Sequence, residues 1–180
     1  MGWIREVKES EYPDAMETVW KTFLEFDAPD YGMEGINNFR KFLTDETLYK
    51  MYLNGYYRVI GYFEDDRIEG VASIRNSNHI SLLFVNRRYQ KRGIGTSLLN
   101  YLCGYCAEYE DQEEITVNSS PYAVDFYRKY GFRETGPARE SDGITYTPMR
   151  HSLKKSGSNY SEQSLAEPQV TYENQGHTSG

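Results

Sequence analysis

Apolar residues along the chain switch between two spacings. Met16, Val19, Trp20, Phe23 and Leu24 fall at i, i+3, i+4, i+7 and i+8, the repeat of one face of an α-helix. Ser10 is placed to cap that helix, Pro13 suits its first turn, and Pro29 and Gly32 break it. A second helix opens near Glu34 with Ile36, Phe39, Phe42 and Leu43 on one side, and Trp3 to Val7 reads as a short strand before both. From Tyr57 the spacing changes. Tyr57–Phe63 and Ile68–Arg75 flank the polar turn Glu64-Asp65-Asp66-Arg67, as the arms of a hairpin do. After Asn76-Ser77-Asn78 comes the strand His79 to Val85, and alternation puts His79, Ser81, Leu83 and Val85 on one face. A basic loop then leads to a helix from about Gly93 to Glu108 and a strand over Ile115–Asn118. Pro121 opens a helix over Tyr122–Tyr130, and Phe132–Thr135 and Ile144–Ser152 are the last strands. The order β-α-α-β-β-β-α-β-α-β-β predicts an α/β (α+β) fold: a mixed, mostly antiparallel central sheet with helices on both faces.

Past Lys154 the composition shifts to Ser, Gly, Asn, Gln, Glu and Thr, with Leu165 and Val170 the only aliphatic residues beyond an alanine. Such a segment cannot bury enough apolar surface to offset its ordering entropy. We therefore expect one domain over 1–154 and a polar, flexible tail over 155–180. Twenty Lys and Arg stand against 27 Asp and Glu, a formal charge of −7, which argues against general nucleic-acid binding. No apolar run approaches the ~20 residues that span a bilayer and no signal-type apolar stretch opens the chain, so we expect a cytoplasmic protein with no membrane partner. Two cysteines, Cys103 and Cys106, make neither a disulfide scaffold nor a four-cysteine zinc site. Deep in a helix at i and i+3, they read as packing residues, and no metal is expected.

The chemistry concentrates after the third hairpin-type strand. Four of the six residues from Arg87 to Arg92 are basic, a local reversal of sign suited to a polyphosphate, and a glycine-rich helix start follows. A Walker loop needs Gly-Lys-Ser/Thr, but Thr96 follows Gly95 directly; a dinucleotide fingerprint needs a glycine where Leu98 stands. The arrangement present is Gln/Arg-x-x-Gly-x-Gly/Ala, written Gln90-Lys91-Arg92-Gly93-Ile94-Gly95. Downstream, Asn118 is followed by Ala123, Phe126, Tyr127, Gly131 and Phe132 in the pattern Ala-x-x-Phe-Tyr-x-x-x-Gly-Phe. Taken together, these two segments resemble the GNAT superfamily of N-acetyltransferases in order, spacing and element type.

The resemblance implies acetyl-CoA as cosubstrate and an amine acceptor, small molecule or protein. It implies that backbone amides of Leu83, Phe84 and Val85 align the pantetheine arm, with the Val85 N–H at the acetyl carbonyl. Amides of Gln90, Lys91, Arg92, Gly93, Ile94, Gly95 and Thr96 would cradle the pyrophosphate, while Arg87, Arg88, Lys91 and Arg92 would touch phosphates or simply face water. Asn118 would hydrogen-bond the pantetheine or a nearby water. Tyr127 matches the family's general acid near the sulfur, against the competing reading of a core aromatic in a chain with 17 tyrosines. His79, where histone-type members carry a glutamate, is the candidate base, with ordered water as the alternative. The acidic and aromatic loop Phe26–Gly32 leans toward a cationic acceptor. A non-catalytic acyl-CoA sensor or scaffold remains the second reading, and a homodimer stays open.

Overall fold

The computed structural model describes residues 2–153, and the tail expected over 155–180 lies outside the described residues. Eight strands are seen among them: β1 (Trp3–Glu6), β2 (Tyr57–Glu64), β3 (Arg67–Arg75), β4 (His79–Val85), β5 (Glu114–Ser119), β6 (Arg133–Glu134), β7 (Arg139–Ser141) and β8 (Ile144–Ser152). Their spatial order is β1-β2-β3-β4-β5-β8-β6, with β7 hydrogen-bonded to β8. Each pair is antiparallel except β4 with β5, which run parallel. A parallel pair needs a crossover, supplied here by helix α4 (Ile94–Glu108).

Both faces of the sheet are covered, and each cover is apolar for its own reason. Helices α1 (Tyr12–Phe26), α2 (Met33–Leu43) and α3 (Glu46–Leu53) bury Ala15, Met16, Val19, Leu43 and Leu48 against Val59, Phe63, Val71 and Leu82. On the other face α4 and α5 (Val124–Tyr130) bring Leu98, Leu99, Leu102 and Tyr127 onto Ile60, Ile74, Ile80 and Val117. Cys103 and Cys106 lie in this second cluster, fully buried and free, with burial pushing both thiols up to about 12. Their packing role is as expected.

Several local expectations are corrected. Ser10 sits in a short 3₁₀ turn, and α1 begins at Tyr12 with Pro13 in its first turn. Leu24 is 44% exposed, its place on the buried face taken by Ala15 and Thr22. The chain between Thr44 and Tyr57 holds α3, capped by Asp45, whose carboxylate accepts from the Leu48 N–H at 2.9 Å. Arg139–Ser141 is a strand that hairpins with β8. Finally, β4 does not alternate evenly. Ser73 faces Leu82 and Ile74 faces Ile80, so Ser81 is an extra residue with no partner on β3. This β-bulge sends Ile80, Leu83 and Val85 to the α4 side and Leu82 and Phe84 to the α1–α3 side. His79 and Ser81 therefore do not share a face with Leu83 and Val85.

Candidate active site

The bulge is also where the sheet opens. Parallel pairing of β4 with β5 is confined to His79↔Thr116 and Ile80↔Val117, though β4 runs on to Val85 and β5 to Ser119. Beyond Ile80 the two strands part. The phase of the ladder fixes which groups face the gap. The Asn86 N–H donates to the Glu69 carbonyl at 2.8 Å, and in an antiparallel pair every second residue points its N–H and C=O at the partner. Leu82 and Phe84 thus bond to β3, while Leu83 and Val85 turn theirs toward the gap. Of the three amides expected to align a ligand, Phe84 is spent on the sheet. Its ring instead lines the acceptor side, 5.9 Å from that of Phe39. The Val85 carbonyl is already taken by the Gln90 side-chain amide at 2.9 Å, and Gln90 in turn accepts from the Tyr122 hydroxyl at 3.3 Å. Gln90 therefore braces the loop against the strand end.

Beside the strand end lies the start of α4. Gly93 stands before the first turn with φ +78°, and a Cβ there would meet nothing within 4 Å. The first intrahelical bond is Ser97 N–H to the Gly93 carbonyl, so the amides of Ile94, Gly95 and Thr96 have no partner inside the helix. No side chain caps them. A Cβ on Gly95 would lie 3.5 Å from the Phe126 ring and 3.9 Å from Val85, so this helix start abuts both β4 and α5. Lys91 (φ +60°) and Arg92 are exposed, the latter's guanidinium 5.2 Å from the Tyr89 ring. Arg87 reaches Glu25 at 3.0 Å and ties the loop to α1. The residues present fit a polyphosphate on an extended arm: free amides, a helix dipole and bare glycines on one side of an open strand edge.

Below the gap is a cleft of about 440 Å³ that brings together His79, Leu83, Phe84, Asn118 and Tyr127. Val85 and Gln90 to Thr96 are absent from its lining and form the adjoining rim. Tyr127 is 3% exposed, edge-on to Phe126 and Phe132, and its hydroxyl has no hydrogen-bond partner among the described residues. Burial and the nearby Asp27 charge push this phenol well above its ordinary value. Asn118 is exposed at the lip, its side chain unpartnered among the described residues. His79 holds the Thr116 hydroxyl through Nδ1 at 2.8 Å, and burial, with the Arg75 charge, lowers it to about 4.

Sequence reasoning took Asp27 only as one member of the acidic, aromatic loop Phe26–Gly32; in the structure it lines the same cleft at 6% exposure. Its signal was a carboxylate at the end of an aromatic helix, where the helix dipole disfavours it. The aromatic wall above it joins Phe23 to Phe39 at 4.1 Å and to Tyr31 at 5.6 Å between ring centres. A roof comes from the β7–β8 turn: Asn38 Nδ2 donates to the Asp142 carbonyl at 2.8 Å, and Gly35 packs directly on Gly143.

Known proteins share this fold. A structure of a GCN5-related N-acetyltransferase from Rhodopseudomonas palustris superposes with a TM-score of 0.72 at 22% identity, covering 83% of this chain and 94% of that one. The PaiA N-acetyltransferase of Thermoplasma acidophilum, solved in complex with coenzyme A, gives 0.68 at 16%, covering 84% and 99%. An uncharacterized N-acetyltransferase of Escherichia coli (strain K12), YafP, is 32% identical over 74 residues. That alignment takes in 41% of this chain and 45% of YafP, less than half the length of the relative. The family model described as an acetyltransferase (GNAT) domain matches residues 27–153, a span that holds the parted strands, the glycine-led helix and the cleft apart from Phe23. The chain belongs to the GNAT acetyltransferase family.

Proposed function

We propose that the protein is an acetyl-CoA-dependent N-acetyltransferase that acetylates a primary amine by direct attack in a ternary complex. The observation that carries this reading is the parting of β4 from β5 beside the uncapped start of α4, with the Tyr127 hydroxyl in the cleft beneath. Acetyl-CoA supplies an acyl group activated as a thioester. The Leu83 and Val85 amides would hold its pantetheine arm, with Val85 N–H toward the carbonyl, and Asn118 would add a side-chain bond from β5. The amides of Ile94, Gly95 and Thr96, led in by Lys91, Arg92 and Gly93, would take the pyrophosphate. Tyr127, whose raised value keeps it protonated across the physiological range, would donate to the departing sulfur.

His79 does not suit the role of base. A group at about 4 takes a proton poorly from an ammonium. Its neutral ring, held by Thr116, instead suits a hydrogen bond from Nε2 to the acceptor. His79→Ala should therefore leave the pH–rate profile unchanged.

The test is thiol release from acetyl-CoA over a panel of primary amines. Release above background hydrolysis with at least one amine supports the transferase. Acetyl-CoA binding without release by any amine would instead favour an acyl-CoA sensor.

A further inference from the structure

Asp27 is a costly residue in an unusual place. It caps the C-terminal end of α1, where its N–H donates to the Phe23 carbonyl at 2.9 Å and its own carbonyl accepts from Asp30 at 3.0 Å. The negative end of a helix disfavours an anion. The Ser120 hydroxyl donates to the carboxylate, yet Oδ1 is buried with no partner among the described residues. Among the described residues no cation pairs with it. A buried, half-satisfied carboxylate is expensive to keep unless something is brought to it.

What faces it is specific. Tyr31 and Asp30 come from its own turn, and Tyr127 from α5. Arg75 and His79 line the same cleft from β3 and β4, and Asp142 from the β7–β8 turn. Phe23, Phe39 and Phe84 add ring faces able to receive a cation.

We propose that Asp27 receives the ammonium group of the acceptor and takes its proton, selecting primary amines carried on an apolar or aromatic body. This rests on the transferase reading for its purpose, though not for its binding chemistry. The proton balance closes. An N–H bond of the ammonium breaks, its electron pair stays on nitrogen, and the proton goes to Oδ1, directly or through one water. The freed pair forms the N–C bond as the C–S bond breaks with its pair on sulfur. Tyr127 protonates the sulfur and is restored by the second proton lost from nitrogen, while Asp27 returns its proton to solvent. Burial lifts Asp27 to about 6, high enough to accept a proton and low enough to release it near neutrality. Neutralising Asp27 also removes a charge that holds the Tyr127 phenol up, so taking the first proton eases delivery of the second.

The experiment titrates the full chain and its Asp27→Asn variant by calorimetry with benzylamine and, as the uncharged probe, benzyl alcohol, at pH 7.5 and 5.0. At pH 7.5 the native protein should prefer benzylamine at least tenfold. One unit below the Asp27 value that preference should fall about tenfold, a result that needs no variant. Asp27→Asn should bind both probes alike at both pH values. A native protein that does not distinguish the probes, or a variant that keeps the preference, overturns the proposal. Acetyl-CoA binding and thiol release are read in the same preparations. An Asp27-dependent preference without thiol release would overturn the transferase reading alone; thiol release without that preference would overturn the role of Asp27 alone.

Discussion

Asp27 Oδ1 is buried with no hydrogen-bond partner among the described residues, and it shares its cleft with Tyr127 and a wall of rings. For Tyr127→Phe the shape of the core is kept and only the donor goes. We expect kcat to fall by about 10²-fold, with the affinity for acetyl-CoA within twofold of native, by steady-state kinetics and calorimetry. Asp27 carries a stability signature too. Its value of about 6 in the folded protein lies above the usual 3.8, so ionisation opposes folding. The stability it contributes is present below about pH 4 and is lost as pH rises through 6. By linkage the loss approaches roughly 3 kcal/mol. Asp27→Asn should accordingly raise Tm at pH 7.5 and leave it nearly unchanged at pH 4, by scanning calorimetry. An equal shift at both pH values would mean that packing, rather than charge, dominates.

Among the elements, β4 and its two neighbours decide what the site is. The bulge at Ser81 bends the strand, and its hydroxyl accepts from Tyr57 at 3.4 Å while Tyr57 and Ser73 share a 2.8 Å bond in the buried core. Nothing in the sequence marks this bulge, because Ser81 fits a polar place in regular alternation. The roof was equally hidden. β7 is only three residues long and fully exposed, so it shows no apolar pattern, and its contact with α2 joins glycines more than a hundred residues apart. A Cβ on Gly35 would sit 2.2 Å from the Gly143 carbonyl. Gly35→Ala should lift the β7–β8 turn off α2 and loosen the acceptor side only. The KM for the amine should rise several-fold with acetyl-CoA affinity unchanged; loss of acetyl-CoA binding instead would contradict the division of the cleft into two halves. At the rim, Gly93→Ala forces a left-handed residue to carry a Cβ, costing about 1 kcal/mol. That Cβ would stand where the pyrophosphate is expected, so acetyl-CoA affinity should fall by tenfold or more.

Over the whole molecule, net charge and local charge disagree. A chain of −7 repels a polyanionic cosubstrate except at the loop from Arg87 to Arg92, so acetyl-CoA affinity should weaken as salt rises. At this scale the sequence was most legible. Element order apart from α3 and β7, sheet class and the position of the glycine-led helix follow from apolar spacing and from two motifs, and these place Tyr127 and Asn118 at the cleft. The face assigned to His79, the turning away of the Phe84 amide and the burial of Asp27 were not legible. Each depends on how strands part and helices stack, which residue spacing does not encode. Among the described residues no helix is long and apolar enough to cross a membrane.

On our proposal the open edge of β4 and the start of α4 together form the acyl-CoA seat. Residue-resolved amide hydrogen exchange, with and without acetyl-CoA, tests it most directly. We predict that Leu83, Val85, Ile94, Gly95 and Thr96 gain protection together while Phe84, already bonded to β3, changes little. Protection confined to other segments, with these five amides unaffected, would place the acyl-CoA seat elsewhere.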